Sequence, residues 1–535
     1  MASPALVTAQ TILDRVDPSK IEVGVPKDEQ RRGDTPVGTP PTTAPTIATA
    51  RAPITVGAIT LSGLERLHAA DFADIFELYV GRTVSPDALR GLTDAIAARA
   101  RSRGYVFAQA SIAPQTMTAG VLRVIVDEGR VDEIRFRGSE NDAVRGALLP
   151  LVGAGPVTLD QVERRLLIAG DVDGIWLRGT QFVREGDRNV LLVDVAADRV
   201  TAYLGLDNLG SRPIGPLQAD LSIRVAQLLA DDDLVTFSAL TTPFEPNEFA
   251  YARLRYGKRI ATGGTEMSLA ASYSRARPGS YLASREIEGR SWNATLGVLH
   301  PLLRRREQSL WLEGSFGVRT VLQDRAERRA RRDRLTVARL GAYGFTAAAG
   351  GRLRANLTIS QGVDLFGATR RNDPFASRSD ASGRFTTVAA SADWTMTPIG
   401  GFSAQLGVAT QIAAQPLLVS EETGLGGGSF LRGYNYSERI GDNGTMASAE
   451  LRYTPAAKLG PLRKPQLYGF FDGGYVTNLD GGSGGGALFS TGAGLRAGVG
   501  QTMTADVALA VPLSGARYDN GNSDPIVSFR LTRRF

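Results

Sequence analysis

The chain has no cysteine, only two histidines, little lysine and no long apolar run. Without cysteine, disulfides, thiol catalysis and thiolate metal sites are excluded together. With His68 and His300 the only histidines, neither a metal site nor a histidine base is expected. No window approaches the roughly 18 unbroken apolar residues of a membrane-spanning helix. The sequence also lacks a Walker motif, a nucleophile elbow with its partners and a carboxylate pair with a cleft to work in. Neither an enzyme nor a cofactor is therefore expected. The net charge of +6 rests almost wholly on arginine. Those arginines are dispersed and not gathered on one helix face, so no nucleic-acid partner is expected. The opening MASPALVTAQTILDRV has no basic segment followed by a continuous apolar core and does not read as a signal peptide. If the protein is exported, numbering is expected to begin near the mature end.

At 535 residues the chain is too long for one ordinary domain. Residues 5–16 place Leu6, Ala9, Leu13 and Val16 at helical spacing until Asp17 and Pro18 stop the pattern. A short helix within residues 1–33 is expected. Residues 34–52, dense in proline and threonine, read as an extended linker. Residues 53–130 give strand (ITVGAITLSG), helix (DFADIFELYV), helix (from Pro86, with Ser85 as N-cap), and the strands YVFAQASI and VLRVIVDEG. Residues 131–198 repeat that order: VDEIRFRG, NDAVRGALLPLV, TLDQVERRLLIAG, IWLRGTQFV and NVLLVDVA. Both copies place a glycine after the first strand, Gly63 and Gly138. Two small α+β domains, each with a three-stranded sheet, are expected.

From about residue 199 to the end, helical periodicity vanishes. Sixteen alternating segments of roughly ten residues follow, from 201–206 to 525–535, an even number as bacterial outer-membrane barrels require. Connections after odd-numbered segments include the long stretches 278–287, 365–382 and 419–444, while those after even-numbered ones are mostly short. In the last segment, Val527, Phe529, Leu531 and Phe535 share one face, and Ser528, Arg530, Thr532 and Arg534 the other. That is a lipid-facing row opposite a lumen-facing row, broken only by Arg533.

The candidate site is GGGSFLRGYNYSERIGDNG, residues 426–444, a loop between two strand-like segments. Gly433, directly after Arg432, is expected to let the backbone turn sharply and aim a permanently charged side chain. A buried arginine needs an anionic partner. Asp472, in QLYGFFDGGYV, is the best candidate: it shares the lumenal face with Phe470 and Gly474, while Leu467, Phe471 and Tyr475 face outward. An Arg432–Asp472 pair in the lumen would hold the loop in one place.

These features resemble the two-partner secretion transporters (TpsB; the ShlB/FhaC/HecB family, named for hemolysin activation and secretion), of the superfamily that contains BamA. The most specific element is LRGY, Leu431–Tyr434, in the loop between barrel strands eleven and twelve. FFDGGYV is similar to the family's aspartate-glycine motif on strand thirteen, and LDNLGSRPIGP, 206–216, to the opening of its barrel. Leu431 departs from the commoner valine. The resemblance implies two POTRA domains in the periplasm, a sixteen-stranded barrel (199–535) in the outer membrane, and an N-terminal helix that plugs the pore. Phe529, Leu531 and Phe535 would form the C-terminal signal read by the barrel-assembly machinery. The barrel would face outer-membrane lipid. The implied function is protein secretion without nucleotide hydrolysis: the POTRA domains capture a large unfolded TpsA-like client and the barrel passes it outward. Two alternatives remain open at this point: an outer-membrane protein assembly or insertion factor of the same superfamily, and a barrel with passive porin activity.

Overall fold

The computed structural model describes residues 13, 53–117, 119–186, 188–456 and 460–535. Leu6, Val16 and the 34–52 linker lie outside the described residues.

The first unit contains β1 (Ile54–Val56), β2 (Ala58–Ser62), α1 (Ala73–Phe76), β3 (Arg82–Val84), α2 (Pro86–Ser102), β4 (Gln109–Ser111) and β5 (Val121–Asp127). Three expectations are corrected here. ITVGAITLSG is not one strand: it breaks at Gly57, and its halves join different sheets, β1 with β3 and β2 with β5. Gly57 N–H is drawn off to the Gly120 carbonyl at 2.8 Å, which ends the first ladder. DFADIFELYV is helical only to Phe76, after a 3-10 turn, because the chain turns back and Gly81 N–H bonds the Val56 carbonyl at 2.8 Å. YVFAQASI keeps three strand residues, since Phe107 leaves to stack on Phe182 of the next unit with centroids 3.9 Å apart.

The second unit contains β6 (Glu133–Gly138), α3 (Asp142–Leu148), α4 (Leu159–Gly170), β7 (Ile175–Glu185) and β8 (Arg188–Ala197). Its helices begin where side chains cap them: Asn141 Oδ1 accepts from Val144 N, and Thr158 with Gln161 forms a reciprocal capping box. The sheet order β6–β8–β7 matches β2–β5–β4 in the first unit, with a parallel pair followed by an antiparallel one in each. Gly63 and Gly138 occupy the same place in the two copies. Their φ angles are +87° and +88°, and a Cβ would lie 2.4 and 2.3 Å from the carbonyl oxygens of Val126 and Val195. Only glycine fits either position.

Sixteen antiparallel strands then close a barrel. They begin with β9 (Val200–Asp207), β10 (Gln218–Ala226), β11 (Asp233–Thr241), β12 (Phe249–Arg259), β13 (Glu266–Ala276), β14 (Ile287–Arg304) and β15 (Gln308–Arg325). Next are β16 (Arg328–Ala348), β17 (Gly351–Gly362), β18 (Thr386–Met396) and β19 (Phe402–Ala413). A two-stranded ribbon, β20 (Thr423–Leu425) with β21 (Arg439–Gly441), interrupts them. The ring resumes with β22 (Asn443–Tyr453), β23 (Leu462–Thr477), β24 (Gly486–Val499), β25 (Met503–Pro512) and β26 (Ile526–Arg534). Each barrel strand falls on one of the sixteen alternating segments. Period-two alternation sorts the faces: Leu204, Leu254, Leu340, Leu451, Leu467 and Phe471 are exposed outward, while Phe470, Asp472 and Glu450 are buried inward. Strands β14, β15 and β16 run 18, 18 and 21 residues, well past the roughly 9–11 that cross a bilayer, so they project beyond it.

The ring closes where β26 meets β9, with Arg530 opposite Asp207. Arg530 Nη2 lies 2.9 Å from Asp207 Oδ2 in the lumen, while Val527 and Phe535 face outward. Past the last registered pair, Asn208 extends the ladder with its side chain, accepting from Phe529 N at 2.7 Å and donating to the Val527 carbonyl at 2.9 Å. Arg533, out of pattern in sequence, stacks over the Phe535 ring at 4.6 Å.

The second unit is fastened to one rim of the barrel. Asp171, which caps α4, takes two hydrogen bonds of 2.8 Å from Nε and Nη2 of Arg304 at the end of β14. Arg304 is fully buried. Around this pair, Arg224 reaches Asp173 at 3.1 Å, Arg259 donates to the Ile168 carbonyl at 2.8 Å, and Asn141 donates to the Asp231 carbonyl at 2.9 Å. Removing one partner of a buried bidentate pair costs on the order of 3–5 kcal/mol. Arg304→Ala is expected to loosen this joint, so that limited proteolysis cuts near residue 198 much faster while the barrel stays resistant. Equal cleavage rates in the two proteins would show that the joint rests on other contacts.

Candidate functional site

The connection between β19 and β22 folds into the barrel. Its base is the β20–β21 ribbon, and its tip turns at Leu431, where Tyr434 N–H bonds the Leu431 carbonyl at 2.9 Å. The left-handed residue of that turn is Leu431, with φ +61°, and not Gly433. The expectation for Gly433 is corrected accordingly: it is needed for clearance. A Cβ there would lie 2.9 Å from Ser490 Cβ and 3.0 Å from the Pro512 nitrogen, so the tip is pressed against β24 and β25. Leu431 is fully buried with Leu425, Tyr434, Val476 and Leu488, and Met446 packs beside them. Gly474 lies beneath this cluster; a Cβ would lie 2.8 Å from Leu425 Cδ2. Tyr434 ties the tip to the β25–β26 connection, donating its hydroxyl proton to the Ser514 carbonyl at 2.9 Å.

Arg432 lies between these apolar contacts and uses four of its five guanidinium N–H groups. Nε and Nη2 donate to the two oxygens of Asp472 at 3.0 and 2.9 Å, Nη1 donates to Glu450 at 2.7 Å, and Nη2 also reaches Ser448 Oγ at 3.1 Å. The Arg432 backbone N–H adds a bond to Asp472 Oδ2 at 3.1 Å. The guanidinium stands 3.5 Å from the centre of the Phe470 ring. Asp472 is fully buried and takes a further bond from Ser448 at 2.7 Å. Glu450 is shared: Arg452 Nε approaches it at 2.6 Å and Arg496 Nη1 at 3.5 Å, while Arg496 also pairs with Asp506 at 2.7 Å. Three arginines thus face three carboxylates, and the lumenal wall is locally neutral. That balance lets a charged cluster sit at low dielectric without an uncompensated ion.

Of the residues singled out in sequence, Arg432 and Asp472 meet, and Leu431, Tyr434 and Gly474 pack around them. Glu450 and Ser448 were not singled out, and Phe470 was placed only on the lumenal face; each sits on the inward face of its strand, a face legible from alternation. Leu13 is helical and half-buried against the cluster of Ile214, Leu240, Phe249 and Leu282, and its carbonyl accepts from Gln323 Nε2 at 2.7 Å. Phe529, Leu531 and Phe535 line the outer surface at the closing seam.

A closed sixteen-stranded barrel with an inward loop and small α+β units at its N-terminal side defines an outer-membrane protein of the POTRA–barrel class. The family model "Haemolysin secretion/activation protein ShlB/FhaC/HecB" matches residues 186–497, and "POTRA domain, ShlB-type" matches residues 54–129. The chain belongs to the ShlB/FhaC/HecB family. It is 24% identical over 424 residues to the heme/hemopexin transporter protein HuxB of Haemophilus influenzae (strain 86-028NP), covering 76% of this chain and 74% of that protein. It is 25% identical over 487 residues to the outer membrane transporter CdiB of Escherichia coli, covering 86% of this chain and 79% of that one. The solved structure of CdiB from Escherichia coli shares the fold, with a TM-score of 0.72 at 20% identity over 100% of this chain and 99% of that one. The protein is a two-partner secretion transporter of the outer membrane, with its N-terminal POTRA region in the periplasm.

Proposed function

We propose that residues 53–130 and 131–198 act as two POTRA domains that capture an unfolded TpsA-like client by adding its strand to a free sheet edge. The outer strands β2, β4, β6 and β7 each have one side that pairs with no other strand of their sheet. Main-chain hydrogen bonds to such an edge are indifferent to sequence, which suits an unfolded client. The observation that carries this reading is the Arg304–Asp171 joint, which fixes the second sheet at the barrel rim. A client held there is delivered to the lumen extended, crosses it, and folds outside, where folding opposes its return. No nucleotide enters this scheme. The C-terminal strand with Phe529, Leu531 and Phe535 is the segment that the barrel-assembly machinery reads during insertion, and the outward apolar rows meet lipid.

The contacts of Leu13 support a plug. Deleting residues 1–33 should raise single-channel conductance in a planar bilayer and leave secretion largely intact. Unchanged conductance would assign closure to the loop alone.

A further inference from the structure

The lumen loop is gripped at a second place, with polarity opposite to that of Arg432. Glu421 closes a 3-10 turn, Val419–Glu421, just before β20. Its carboxylate is 9% exposed, and it accepts from Arg339 Nη2 on β16 at 2.7 Å and from Arg319 Nη1 on β15 at 3.4 Å. Arg319 also reaches the Ser420 carbonyl at 3.4 Å, and Gln411 donates to the Glu421 carbonyl at 2.9 Å. In the ring, β15 and β16 stand four to six places from β22 and β23, which hold Arg432. The loop is therefore anchored on two separate parts of the wall, near its start by Glu421 and at its tip by Arg432.

The neighbouring Glu422 is buried in a separate ion pair. Its side chain is 2% exposed and accepts from Arg378 Nη1 at 2.7 Å. Arg378 also holds Asp442 at 2.9 Å, Asp380 at 2.8 Å and the Leu479 carbonyl at 3.0 Å, joining the connections that follow β17, β19 and β23. Burial disfavours the Asp380 carboxylate, but the Arg378 hydrogen bond outweighs it and holds this carboxyl below its ordinary range.

We propose that Glu421, with Arg319 and Arg339, is a positioning residue of the transporter: a second latch that keeps the loop across the pore independently of the Arg432–Asp472 pair. This rests on the reading of the chain as a transporter whose loop is held in the lumen by the Arg432–Asp472 pair. One latch offers a loop arginine to acidic wall groups, and the other a loop carboxylate to basic wall groups. A passing segment of either charge competes for only one partner of each latch. Release of the loop therefore requires both latches to open.

Because the chain has no cysteine, Ser420→Cys provides a single thiol beside the latch, at a position whose hydroxyl oxygen is buried. Its reaction with a charged, membrane-impermeant thiol reagent reads loop position without any client. In the full-length protein, Arg319→Gln with Arg339→Gln should raise the labelling rate about tenfold or more, as expected for local opening of a segment once held by a buried charge pair. The exchange Glu421→Arg with Arg339→Glu should bring the rate back toward that of Ser420→Cys alone, and heat-modifiable mobility reports that each barrel is folded. Arg432→Ala alone should leave position 420 protected. An unchanged rate in the folded Gln pair overturns the second latch, and so does equal exposure caused by Arg432→Ala, which would mean one latch only. Since no client is involved, either failure leaves the transport reading standing; loss of that reading would be registered by secretion instead.

Discussion

Arg432→Ala is expected to leave the barrel inserted and to abolish most secretion. The substitution strands Asp472, a fully buried carboxylate, with only the Ser448 hydroxyl as a side-chain donor. The local cost is on the order of 3–5 kcal/mol, less where lumen water reaches the site. Asp472→Ala should be the milder change, because the guanidinium keeps Glu450 at 2.7 Å and the Phe470 ring. In a double-mutant cycle scored by secretion and heat-modifiable stability, the double alanine variant should be scarcely worse than Arg432→Ala. Strictly additive losses would mean that the two residues act separately. Exchanging the charges, Arg432→Asp with Asp472→Arg, should not restore function. It would set an aspartate beside Glu450, and arginine and aspartate differ in reach and in the number of groups they engage.

The second large effect concerns the periplasmic units. Removing residues 53–130 or residues 131–198 should abolish secretion while the barrel still inserts, because the closed β9–β26 ring contributes its own hydrogen-bonded walls. Loss of 131–198 also removes Asp171, and the charge-neutral change Arg304→Gln controls for the stranded arginine. Normal secretion by a protein lacking both units would sink the capture reading.

The barrel was legible because its signal is repeated: sixteen alternating segments each constrain which face meets lipid, and errors at single segments do not propagate. Arg432 and Asp472 were legible for a related reason. Each is a charge placed among glycines and aromatics, where only a partner explains it. What sequence could not supply is which inward residues converge across the ring. Glu450 and Glu421 lie on opposite sides of the loop tip in sequence, yet one contacts Arg432 and the other contacts Arg319 and Arg339. Those meetings depend on barrel closure and on the path of the loop, not on local spacing. Gly433 shows a different limit. A glycine after an arginine suggests a turn, but the backbone turns at Leu431 and Gly433 is small because β24 and β25 press on it. In the first unit, Gly57 and Phe107 each withdraw from a strand to serve a contact distant in sequence, which local patterning does not register.

Passage of an unfolded protein across a membrane by this chain alone, without nucleotide, is the expected outcome. It is tested most directly with proteoliposomes whose only protein is this chain, presented with the urea-unfolded secretion domain of an exported protein whose gene neighbours its own. The expected result is client that becomes protease-protected inside the vesicles with no nucleotide added, and that fails to do so when the vesicles carry Arg432→Ala. Client that remains fully protease-sensitive with the wild-type chain, or that crosses only when ATP is supplied, would contradict it.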